Sequence, residues 1–133
     1  MIKTILLLSI FISSCFSNNI SWYSSYNKAL KDSHKQKKNL MIFISSKKTN
    51  KSNFVLSKYF MKQDYIEYIN KNFICVLISV ESKISYPIEM FYTTTFPSIF
   101  FASYKDESFL THPIYDFKSK EDFKKILFSI DYK

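Results

Sequence analysis

Apolar runs that alternate with helical periods put this chain in the α/β class, as a central mixed sheet of about four strands flanked by helices, with a helix near the N-terminus. Two of the runs, Leu40-Met41-Ile42-Phe43-Ile44 and Phe73-Ile74-Cys75-Val76-Leu77-Ile78, hold no charged or amide side chain, which marks strands buried on both faces. A helical stretch lies before each run, so the pair is joined by a crossover and runs parallel. With 133 residues, 47% of them hydrophobic and 19% aromatic, the chain fills one core and is too short for two.

The first 17 residues stand apart. Lys3 precedes Ile5, Leu6, Leu7, Leu8, Ser9, Ile10, Phe11 and Ile12, and the small residues Ser13, Ser14 and Cys15 follow. The apolar run falls far short of the roughly 20 residues that span a bilayer as a helix, so the segment reads as a secretory signal. Ile12-Ser13-Ser14-Cys15 also resembles the lipobox of bacterial lipoproteins, in which the Cys is lipidated and becomes the new N-terminus. Ordinary cleavage after Ser17 is the alternative, and both stay open. The expected organisation is a signal over 1–17 and one domain over 18–133, exported to the periplasm or cell envelope.

Trp22, Tyr26, Ala29, Leu30 and Ser33 recur at helical spacing and predict a helix over 21–35 with Ser21 as N-cap. Its other face carries Lys28, Lys31 and Lys35, and Lys37 and Lys38 continue the run, which reads as a solvated surface. After the strand at 40–44 comes a polar loop, then Phe54, Val55, Leu56, Tyr59 and Phe60 as a second helix capped by Thr49 or Ser52. Asp64 opens another helical turn with Tyr65, Ile66, Tyr68 and Ile69, which hands over to the strand at 73–80. Residues 82–92 are irregular, with Pro87 breaking any strand. A third strand is predicted over 97–101 and a fourth over 109–115, paired as a hairpin. The last helix, 119–130, buries Phe123, Ile126, Leu127 and Ile130.

Composition excludes several functions. The chain has no Gly, and Rossmann loops, P-loops and nucleophile elbows need Gly where the backbone turns sharply or approaches a phosphate. The net charge of +8 is carried by Lys alone, with no Arg. Arg is the side chain whose fork reads guanine and clamps phosphates in pairs, so no nucleic-acid partner is expected; attraction to an anionic surface is the lesser alternative. His34 and His112 stand apart and offer no metal set, and no cofactor is expected. Glu121-Asp122 fits the acidic first turn of a helix. Cys75, the only Cys beyond residue 17, reads as a small hydrophobe in a buried strand, which rules out a disulfide within the domain. A reactive single thiol at Cys75 is the alternative.

Four local patterns resemble the thioredoxin-like superfamily, in particular secreted members of the anterior-gradient type and related bacterial domains. Trp22 to Leu30 resembles a Trp-x-x-x-Tyr-x-x-Ala-Leu opening. Lys37-Lys38-Asn39 before Leu40 resembles the family's basic turn into its central strand, and Phe96-Pro97-Ser98-Ile99-Phe100-Phe101 resembles the strand begun by its cis-proline. The segment Ile69-Asn70-Lys71-Asn72-Phe73 is similar to the one that leads into the family's next strand. Together these patterns span nearly all of 21–130, and they imply a three-layer fold.

The resemblance also implies a Cys-x-x-Cys after the central strand, where this chain reads Ser46-Lys47-Lys48-Thr49-Asn50-Lys51-Ser52. Thr49 and Ser52 take the cysteine positions, and no Cys lies between Phe16 and Ile74. A hydroxyl cannot form a mixed disulfide, because exchange begins with a thiolate. No catalytic residue is therefore expected. The resemblance leaves a peptide groove lined by Thr49, Asn50, Lys51, Ser52, Phe96 and Pro97, in which a strand can be added through main-chain bonds. Lys47, Lys48 and Lys51 would favour an acidic protein or peptide there. A membrane is expected only through a lipid anchor, and oligomeric state is left open.

Overall fold

The computed structural model describes residues 19–82 and 86–130. The expected signal over 1–17, with the lipidation candidate Cys15, lies outside the described residues. In chain order the elements are β1 (Trp22–Tyr23), α1 (Tyr26–Gln36), β2 (Asn39–Ser45), α2 (Lys51–Tyr59), α3 (Ile66–Asn72), β3 (Phe73–Ser79), β4 (Ser98–Ala102) and α4 (Lys120–Ser129). They build one four-stranded sheet in the order β1-β3-β2-β4. β1, β3 and β2 are parallel and β4 runs antiparallel to β2, so the sheet is mixed, as expected.

Alternation along each strand sends side chains to opposite faces and makes two cores. Met41 and Phe43 of β2, Phe73 and Cys75 of β3, and Ile99 and Phe101 of β4 pack on one side with α2, α3 and α4. Leu40, Ile42 and Ile44, with Ile74, Val76 and Ile78, pack on the other with Tyr26 and Ala29 of α1 and with Phe91. The result is three layers: α1, the sheet, and the remaining helices. In the first core Phe60 meets Phe43 edge to face at 5.7 Å and Phe123 at 5.4 Å, the arrangement that ring quadrupoles favour.

The first helix begins four residues later than its spacing predicts. Trp22 and Tyr23 are β1, paired with Cys75 and Val76 of β3. Trp22 sits against Phe43 and Phe60, with ring centroids 5.8 and 5.9 Å away, whereas Tyr26 belongs to the core on the opposite side of the sheet. One helix cannot serve both faces. The chain therefore crosses the sheet edge at Ser24, and Ser25 rather than Ser21 is the N-cap, its Oγ accepting from the backbone N of Lys28 at 3.3 Å. Lys37 closes α1 at φ 55°, a left-handed position filled without glycine.

The expected strand over 109–115 is a second correction. The chain does return antiparallel to β4, but only through isolated bridges from Ile99 to Ile114 and from Ala102 to Phe109. Three steps along β4 are matched by five along the returning segment, and Pro113 has no N–H to give to a ladder. The surplus residues bow out of the sheet. The fourth strand of the sheet is β1 instead.

Candidate functional site

β2 ends at Ser45, whose Oγ donates to the carbonyl of Ile78 at 3.1 Å, and the chain then turns toward α2. Ser46 is buried. Its Oγ donates to Glu81 Oε1 at 2.5 Å and accepts from the backbone N of Lys48 at 3.2 Å. The backbone N of Lys47 donates to both Glu81 oxygens at 3.1 Å, and Ser79 Oγ donates to Oε2 at 2.9 Å. One carboxylate from the end of β3 thus ties down the first half of the loop. The bond from Ser46, then that from Lys47, stabilise the charged form and hold the Glu81 carboxyl well below the usual range, at about 2.

The second half of the loop leads into α2. The N-cap is Asn50, whose side chain makes no capping bond; its carbonyl accepts from the backbone N of Phe54 at 3.0 Å. Neither expected cap takes the role. Thr49 lies one residue too early, and Ser52, already inside the first turn, reaches backward, its Oγ accepting from the backbone N of Ser46 at 3.3 Å. Ser52 is buried and Thr49 is exposed. A cavity of about 410 Å³ opens here, with Lys47, Thr49, Asn50 and Ser52 on one wall and Ser24 and Ser79 among the groups across from them. Its lining is rich in hydroxyl groups, which donate and accept hydrogen bonds but do not ionise near neutral pH.

The other expected groove residues divide. The Phe96–Pro97 peptide bond is cis, and the turn before it is held by hydroxyls: Ser98 Oγ donates to the carbonyl of Thr95 and meets Thr93 Oγ1 at 2.7 Å. Pro97 and Lys51 share a smaller cleft of about 130 Å³ with Phe54, Lys58 and Tyr115. Phe96 is half-buried against the α1-side core. Four of the six residues therefore gather around the start of α2, Pro97 meets them through Lys51, and Phe96 faces elsewhere. Sequence reasoning missed Ser46, Ser79 and Glu81, and also the exposed Phe54 beside the cleft. Ser46 and Glu81 carry no spacing signal, because they lie 35 residues apart.

Cys75 lies away from this loop. It sits in β3 between Trp22 of β1 and Met41 of β2 and is 1% exposed. Burial pushes its thiol pKa far up, more than the nearby Lys38 ammonium lowers it. Both histidines are exposed. Among the described residues no three His, Cys, Asp or Glu side chains come together to hold a metal ion.

No family model matches the chain, and no curated protein does. Solved structures do. One described as a DsbH oxidoreductase superposes with a TM-score of 0.67 at 15% identity, over 86% of this chain and 85% of its own. The fold is thioredoxin-like. A thioredoxin from Thermus thermophilus superposes with a TM-score of 0.69 at 14% identity, over 84% of this chain and 87% of its own. Identities this low speak to the thioredoxin-like fold and not to activity.

Proposed function

We propose that this thioredoxin-like domain is a non-catalytic module that binds an extended protein or peptide segment, exported by way of residues 1–17 and working in the periplasm or at the cell envelope. The observation that carries the reading is chemical: the loop before α2 offers Thr49 and Ser52, and Ser52 is already spent on the Ser46 backbone. Exposed Lys47, Lys48 and Lys51 beside it suit an acidic segment. The resemblance to secreted anterior-gradient-type domains, carried by Trp22 to Leu30 and by the Phe96-Pro97 strand, supports the same placement. The competing reading, redox chemistry through Cys75 alone, needs an accessible thiolate, and burial of that thiol weighs against it.

The test is catalysed reduction and oxidation of a disulfide peptide by the exported protein, with Cys75→Ser and Cys75→Ala beside it. No turnover by any of the three is expected. Turnover that both substitutions abolish would overturn the proposal. In parallel, an acidic extended peptide titrated against the isotope-labelled protein should shift the amides of 47–52 and of Ser98 and leave those of β3 in place.

A further inference from the structure

The lysines are unevenly placed. Residues 28–62 hold ten of the nineteen and a single acid, Asp32, whose carboxylate accepts from the Tyr23 hydroxyl at 2.7 Å. Four of the ten, together with Lys71 and Lys105, converge on one end of the sheet. Asn39 and Phe73, the first residues of β2 and β3, are register partners, so Lys37 and Lys38 before one strand and Lys71 before the other stand at the same level. Lys35 in the last turn of α1 and Lys105 after β4 complete that end. Here, too, the chain comes in from residue 18. Trp22 pairs with Cys75, so Asn19 lies level with the start of β3. It bridges to Met61 and is held by Asn70, whose Nδ2 donates to the Asn19 carbonyl at 2.9 Å while its Oδ1 accepts from the backbone N of Ser21 at 3.0 Å. Lys62 and Lys71 flank that clamp in sequence, and Met61 beside it is 42% exposed.

The acids at this end offset part of that charge and leave the lysines in excess. Asp64 pairs with Lys124 at 2.9 Å, Asp106 accepts from the backbone N and Oγ of Ser108, and Glu107 accepts from the Tyr26 hydroxyl. Glu67 lies one turn before Lys71 on α3 and offsets one charge.

From this placement we infer that the end of the sheet where β2 and β3 begin docks on an anionic lipid surface. Two observations select a lipid surface over other anionic partners. The lysines lie at the end of the sheet where the described chain continues into residues 1–18, and four residues before Asn19 stands Cys15, the lipidation candidate, whose acyl group would hold that end at a membrane. A single acyl chain holds a protein to a membrane only marginally, and a basic patch beside it supplies the second attachment. Each lysine near an anionic surface strengthens binding roughly fivefold. This surface is at the opposite end of the sheet from the loop that carries Thr49 and Ser52, so the inference does not depend on the peptide-binding reading.

The experiment uses the protein produced with its own residues 1–17 and collected as the exporting cell leaves it. Binding is measured by sedimentation with phosphatidylcholine vesicles, alone and containing phosphatidylglycerol. Comparing the two separates the charge effect from any acyl anchor. The expected result is a preference for phosphatidylglycerol that weakens steeply with salt. It should fall about a hundredfold or more in Lys37→Gln/Lys38→Gln/Lys62→Gln/Lys71→Gln, with an unchanged circular dichroism spectrum, while Lys47→Gln/Lys48→Gln/Lys51→Gln retains it. Equal binding to both vesicles would overturn the inference. So would a preference lost in the second variant and kept in the first.

Discussion

At the loop between β2 and α2 a cavity is open and a helix begins, but the side chains are hydroxyls; in the middle of β3 there is a thiol, but it is walled in by strands on both sides. Accessibility and sulfur have been separated within one fold. The loop is organised by Glu81 through bonds that need no burial, whereas Cys75 is held by packing alone among Phe73, Met41 and Phe101. The difference teaches that a fold fixes where a loop and a strand sit, while the side chains placed there decide what either can do.

The largest effect expected from breaking this contrast is kinetic. Thr49→Cys puts a thiol at the exposed position, and it should react with a bulky thiol reagent at least roughly a thousandfold faster than Cys75, which must wait for the domain to open. Mass analysis of the two labelled peptides reads the ratio, and comparable rates would show that β3 is not closed. Next comes stability: Cys75→Ser places a hydroxyl among apolar groups and should cost about 1–3 kcal/mol in urea melts, more than Cys75→Ala. A neutral result would mean that the site already holds a polar partner for the hydroxyl.

The smallest effect, and the one that isolates the loop, is the pH response of Glu81→Gln. The folded carboxyl titrates at about 2 against an ordinary value of 4.5. Its stabilising contribution is therefore complete above pH 4.5 and is lost as pH falls toward 2. The gap in melting temperature between wild type and Glu81→Gln should narrow over that window and nowhere above it. A gap that stays constant down to pH 2 would place the carboxylate's role elsewhere.

What could be read in advance follows from how far apart the partners lie. The runs at 40–44 and 73–78 announce the two interior strands because every residue in them meets a core, and the stripe of Phe123 and Leu127 announces α4. β1 was hidden, since two residues give no period and Trp22 happens to stand four before Tyr26. The strand over 109–115 was overread because its apolar residues are real but Pro113 and the extra length are incompatible with a ladder. At the site, Thr49, Asn50, Lys51 and Ser52 were found from their place after a buried strand. The carboxylate that shapes their loop could not be, because Ser46 and Glu81 meet only once β2 and β3 are side by side. Phe96 was assigned by adjacency to Pro97, and alternation turned it to the other face.

The irregular return from Phe109 to Ile114 along β4 bears on how copies of this protein behave when crowded. A fifth regular strand there would have presented a row of unpaired amides and carbonyls, a template on which another copy could grow a common sheet. With isolated bridges at Ile99 and Ala102 and Pro113 in the returning segment, that border offers no regular ladder to extend. In a chain with 47% hydrophobic residues, the interruption protects against fibril-like self-association.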